Sequence, residues 1–131
     1  MNSITVTVPV TVKAKLTEKL KARLLDEMSK AIEQLDLEIK QIDLDRQREL
    51  NKNPQHINEI NNYFGNEIAQ RQERLDDISH RREDMTKLSI GAEITQGTLE
   101  RQVEIKVGDD MRELMNVEVL VEDDKIIAIR S

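Results

Sequence analysis

Cysteine is absent from the 131-residue chain, which excludes disulfides, thiolate nucleophiles and thiolate metal sites. Tryptophan is missing too, with one Tyr and one Phe, so aliphatic side chains must fill any core. The four glycines, at 65, 91, 97 and 108, are too scattered to form a phosphate-cradling loop. No apolar run approaches the ~20 residues that cross a bilayer, and the N-terminus lacks a signal peptide's basic-then-apolar layout. A cytoplasmic protein without a membrane span is the expectation. A basic excess is also lacking. Residues 1–16 carry +2, residues 17–87 carry −3 and residues 88–131 carry −5, for a net charge of −6. Direct binding to a phosphate backbone, which needs clustered Lys and Arg, is therefore disfavoured.

What the chain has in abundance is charge, at 35% of residues, laid over a regular aliphatic rhythm. Leu25, Met28, Ile32, Leu35, Ile39 and Ile42 advance by alternating steps of three and four. The same steps continue through Ile57, Asn61, Phe64, Ile68, Arg71, Leu75, Ile78, Arg82 and Met85. This spacing predicts a coiled-coil seam between two long helices. Thr17 offers an N-cap, Asn51-Lys52-Asn53 the turn, and Asn53-Pro54 a restart. So short a link makes the helices antiparallel. Folding about Lys52 sets Phe64 near Ile39 and Ile42, Leu75 near Met28 and Ile32, and Met85 near Leu20. Arg71 then needs Glu33 or Glu38, and Arg82 needs Asp26, because an unpaired seam charge costs stability. Gly65 interrupts the second helix at a cost of roughly 1 kcal/mol.

Before the helices, Ile4, Val6, Val8, Val10 and Val12 alternate with Thr5, Thr7, Pro9 and Thr11, the period of a strand with one buried face. Pro9 cannot donate to a ladder, which places this strand at an edge or breaks it there. After the helices, Gly91 and Gly97 punctuate short segments, Leu99 to Val107 contains the alternating Val103, Ile105 and Val107, and Gly108-Asp109 signals a turn. Val117–Val121 and Ile126–Ile129 flank the acidic turn Glu122-Asp123-Asp124-Lys125 as a hairpin. The predicted fold is α+β: an antiparallel two-helix coiled-coil hairpin, residues 17–87 with its tip near 51–54. It is inserted into a small sheet or open barrel made by residues 1–16 and 88–131, with up to four C-terminal strands.

Val-Thr-Val-Lys, Leu-Thr-Glu-Lys, Gln34-Leu-Asp-Leu-Glu38, Gly97-Thr-Leu-Glu100 and Val107-Gly-Asp109 together resemble the YlqD-like family of small bacterial proteins. The resemblance covers nearly the whole chain and implies this architecture. Its motifs are caps, heptads and turns, and it brings no catalytic residue with it.

The residues themselves suggest no chemistry. His56 falls at the hairpin tip and His80 near its base, too far apart to share a metal. Asp109-Asp110 and Glu122-Asp123-Asp124 lack the alternating ligands and central Gly of a calcium loop. Ser79-His80 is the one hydroxyl–imidazole neighbour, and on a helix the two side chains diverge. The expectation is a protein that is not an enzyme, with no catalytic, metal or cofactor-binding residues and no cofactor. A structural or protein-interaction role fits better. Leu24 with Ala31, and Leu37 with Leu44, form rows seven apart outside the main seam, so a homo-oligomer is expected, a dimer first. The alternative is an accessory factor of the transcription or RNA machinery, docking on an unidentified protein through Lys52, Asn53 and His56. Hairpins that deliver a metal carry acids at the tip, whereas here Asp43, Asp45 and Glu49 lie one to two turns back.

Overall fold

The computed structural model describes all residues, Met1–Ser131. In chain order they form β1 (Ser3–Lys15), α1 (Glu18–Lys52), a 3₁₀ turn (Pro54–His56), α2 (Ile57–Lys87), β2 (Glu93–Lys106), α3 (Met111–Met115), β3 (Glu118–Glu122) and β4 (Lys125–Arg130). The architecture is α+β, a long helix pair and a four-stranded sheet ordered β2-β1-β3-β4. The sheet is mixed and open rather than closed into a barrel. Residues 1–21 and 89–131 make one compact unit, and residues 22–88 the other.

In the sheet unit, β1 pairs antiparallel with β2 along its whole length, from Ser3–Lys106 to Lys15–Glu93. Opposed residues share a face, so Ile4 meets Ile105, Val6 meets Val103 and Val10 meets Leu99. Parallel pairing with β3 starts only at Thr11, and β3 returns through β4. The core is Val10, Val117 and Val119, with Val121 packed beside them, and α3 lies against β1. Three C-terminal strands form. Gly97 does not end a segment: it sits inside β2 opposite Val12, beside a bulge where Gln96 is the extra residue. A Cβ added at Gly97 would meet nothing within 4 Å, so the strand simply runs through it, with the irregularity confined to the bulge.

Pro9 occupies an interior strand by sheet order but an edge by contact. The Thr11 N–H donates to the Val117 carbonyl at 3.1 Å, so odd-numbered residues of β1 direct their backbone groups toward the β3 side. Since β3 begins its pairing at Thr11, Pro9 faces a flank with no strand on it, and its missing N–H costs nothing there.

Three residues join the start of α1 to the β3–β4 turn. Thr17 Oγ1 accepts from the Leu20 N–H at 3.1 Å, which is the N-cap bond, and donates to Asp123 Oδ1 at 2.8 Å. Asp123 and Asp124 have φ of 46° and 68°, the left-handed pair of a tight two-residue hairpin turn. Asp tolerates that conformation better than most residues, and the bond from Thr17 holds Asp123 in it.

In the helical unit the antiparallel run is fixed by cross-helix contacts. Glu38 reaches Arg71, Arg46 reaches Asn61, and Ser29 reaches Arg82. These pairs are centred within Asn53–His56, so the pivot lies past Lys52, in the 3₁₀ turn. The reason is local. Asn53 makes no side-chain cap bond to the helix that follows; its amide donates back to Glu49 Oε1 at 2.8 Å, extending α1 to Lys52. The shift also moves the start of the second stripe. Ile60 is buried, whereas Ile57 is 51% exposed and Asn61 lies at the surface. From Phe64 onward the expected stripe is half-buried through Arg71, Leu75, Ile78, Arg82 and Met85.

Two outcomes are expected in solution. Gly65 is exposed in α2, with nothing within 4 Å of an added Cβ, so Gly65→Ala should raise stability by about 0.5–1 kcal/mol in urea unfolding. Thr17→Ala should cost about 1–2 kcal/mol, more than an ordinary cap loss, because it also frees Asp123.

Candidate interaction surface

The residues singled out by sequence divide by which way they face. At about 100° per residue, Leu24 and Ala31 project within roughly 40° of buried Leu35, and both are half-buried. They widen the inner stripe of α1. Leu37 and Leu44 project almost opposite to Leu35 and Ile39, and they are 61% and 47% exposed. The four residues expected to act together are thus two pairs on different faces.

A groove of about 490 Å³ runs along one side of the helix pair, lined by Ile39, Lys40, Asp43, Leu44 and Ile68. Leu44 therefore bridges the groove and the outer face. Several other charges on the outward side of α1 are paired within the helix, as in Asp26–Lys30 at 2.9 Å and Asp36–Lys40 at 3.1 Å.

Inside the helix pair, the two seam arginines find partners. Arg71 binds Glu67 at 2.6 Å and Glu38 at 3.7 Å, the latter one of its two expected acids. Arg82 donates through Nε to Ser29 Oγ at 2.8 Å, not to Asp26. The later pivot puts Ser29 across from it, and Asp26 turns outward to Lys30. Sequence reasoning missed Ser29, which directly follows the stripe residue Met28 and so lies on the flank of the stripe rather than in it.

At the tip, Lys52 and His56 are exposed and Asn53 half-buried. His56 Nδ1 lies 3.4 Å from Glu59 Oε2, and Asn53 is held by Glu49. The acidic clusters have structural partners. Asp109 Oδ2 accepts from the Lys106 N–H at 2.8 Å, and Asp110 Oδ1 from the Arg112 N–H at 2.9 Å, capping α3.

The polar face of the sheet carries a four-residue charge network. Lys13 meets Glu118 at 2.9 Å, and Arg130 meets Glu118 at 2.9 Å and Glu93 at 2.7 Å. The hydrogen bond from Lys13, helped by the charges of Lys13 and Arg130, holds the Glu118 carboxyl below the usual carboxylate range. Arg130 does the same for Glu93 through its hydrogen bond and charge. This network stitches β1, β2, β3 and β4 together on one side. The other side is only partly covered: Ile4, Leu99 and Ile129 are 47%, 56% and 71% exposed.

The family model that matches this chain is that of the YlqD protein, over residues 4–130. The chain belongs to the YlqD family. Among solved structures, a crystal structure of a protein of unknown function from Synechococcus sp. WH 8102 is 23% identical. It covers 98% of this chain and 95% of its own, with a TM-score of 0.82. That likeness extends the YlqD fold, helix pair and sheet together, to a distant sequence. No curated protein matches. No helix of this YlqD chain is long and apolar enough to cross a membrane.

The charge network sets a pH dependence. Glu93 and Glu118 have lowered folded-state pKa values, so the stability they add is present above the ordinary carboxylate range and is lost as pH falls through and below it. Urea midpoints of the Glu93→Gln/Glu118→Gln variant should therefore lie below wild type at pH 7, and the gap should close as pH falls below the ordinary carboxylate range. Because these groups are about a third exposed, molar salt should narrow the gap at pH 7.

Proposed function

We propose that this YlqD-family protein is a non-catalytic interaction protein that associates with itself through the outer face of α1. The observation that carries this reading is the exposure of Leu37 and Leu44, 61% and 47%, Leu37 on the side of the helix turned away from α2 and Leu44 between that side and the groove. Two large aliphatic residues seven apart on an otherwise charged face form a stripe that a second helix can cover. The non-catalytic part is supported by the occupations of the polar residues. Ser29 binds Arg82, Asp110 caps α3, and Asp123 anchors Thr17. Each holds backbone or seam geometry.

A two-fold dimer is the simplest closed assembly for such a face. Leu37→Glu/Leu44→Glu should shift the sedimentation coefficient of the full chain toward that of a monomer while leaving far-UV circular dichroism unchanged, since neither residue is in the inner stripe. Loss of helicity in that variant, or a wild type that sediments as a monomer at every concentration, would overturn the reading.

A further inference from the structure

The outer face of α1 holds a pattern that reads the same from both ends. Glu33, Leu37, Leu44 and Arg48 are spaced four, seven and four apart, and at about 100° per residue all four project within roughly 60° of one another. The apolar pair is symmetric about the Lys40–Gln41 step, and the charges at its ends are opposite. Glu33 and Leu37 are exposed. The Arg48 side chain is 69% exposed and makes only a long contact, 3.6 Å, to Asp45. All four groups are thus open to a partner.

Charge decides which partner and which direction. A second copy of α1 laid parallel, in register, would set Glu33 against Glu33 and Arg48 against Arg48, and both juxtapositions repel. Laid antiparallel about Lys40–Gln41, it sets Leu37 on the partner copy's Leu44 and Glu33 beside the partner copy's Arg48, twice over by symmetry. The two leucine contacts exclude water, and the flanking ion pairs fix direction and register. We infer that two copies of this chain join antiparallel along α1, with a two-fold axis at Lys40–Gln41 and reciprocal Glu33–Arg48 pairs closing both ends. This rests on the self-association reading above and adds the direction, axis and pairing.

The experiment is charge reversal followed by restoration in the full-length chain, read by sedimentation velocity at low salt with circular dichroism as a folding check. Glu33→Arg alone and Arg48→Glu alone should each weaken the dimer about tenfold, having turned two attractions into repulsions. The double variant Glu33→Arg/Arg48→Glu should recover the wild-type dissociation constant. Because the chain has no cysteine, a Gln41→Cys variant treated with a short bis-maleimide should give a covalent dimer, and Arg23→Cys should not. A dimer that Leu37→Glu/Leu44→Glu dissociates, but that the double charge swap fails to restore, overturns the pairing and leaves the self-association reading standing. Equal cross-linking at positions 23 and 41 overturns the axis in the same way. A chain that never dimerises overturns both.

Discussion

Backbone pairing between β1 and β2, from Ser3–Lys106 to Lys15–Glu93, ties together two segments separated by the whole helical insertion. The ladder continues one residue further. The Leu16 N–H donates to the Ala92 carbonyl and the Gly91 N–H to the Leu16 carbonyl, both at 2.7 Å. Leu16 is fully buried, and Gly91 adopts φ 94°, which a side chain would resist. The insertion therefore departs and returns through a closed gate. Thr17, next in sequence, then begins α1 while held to the β3–β4 turn by Asp123. Closing a loop this long costs chain entropy; two stiff helices that fold back on each other recover it through their shared stripe.

Polar groups set the register of that helix pair. Aliphatic stripes tolerate slippage by a turn, because Leu, Ile and Met exchange contacts at little cost. Arg82 with Ser29 does not slip so cheaply, since slippage would leave a half-buried guanidinium without its acceptor, whereas Arg71 keeps Glu67 on its own helix and gives up only the longer contact to Glu38. The same logic separates the inner from the outer face of α1. Inward residues are specified by cross-helix partners and several outward charges by pairs within the same helix, whereas Leu37 and Leu44 are left exposed.

Much of this was legible from residue order. The valine–threonine alternation specified β1, Thr17 the cap of α1, Pro54 the break between helices, and Glu122–Lys125 the final turn. The less legible parts each depended on a tertiary contact. Asn53 reads as a cap for the following helix, but its amide is drawn to Glu49, and the pivot moves with it. Gly97 reads as punctuation until the bulge opposite Val12 is known. Seven-residue steps link Leu24 to Ala31 and Leu37 to Leu44 alike, whereas rotation about the helix axis puts the two pairs on different faces. The α3 helix is a single turn, capped by Asp110, too short for any periodic signal. The resemblance to the YlqD family drew on those same caps and turns, which is why it foretold the architecture and brought no site residue with it.

Pro9 has a consequence for the molecule's behaviour when crowded. The valine-rich ribbon of β1 and β2 is the kind of segment on which stray strands nucleate fibrils. Along the vacant flank of β1, an intruding strand would find amide donors at Ser3, Thr5 and Thr7, then a hole at Pro9, and past it the flank closed by β3. Along β2, the Lys106 amide and carbonyl are already consumed by Asp109, which shortens the template from its far end. A proline on one flank and an aspartate at the end of the other thus shorten the stretches on which a foreign strand could pair.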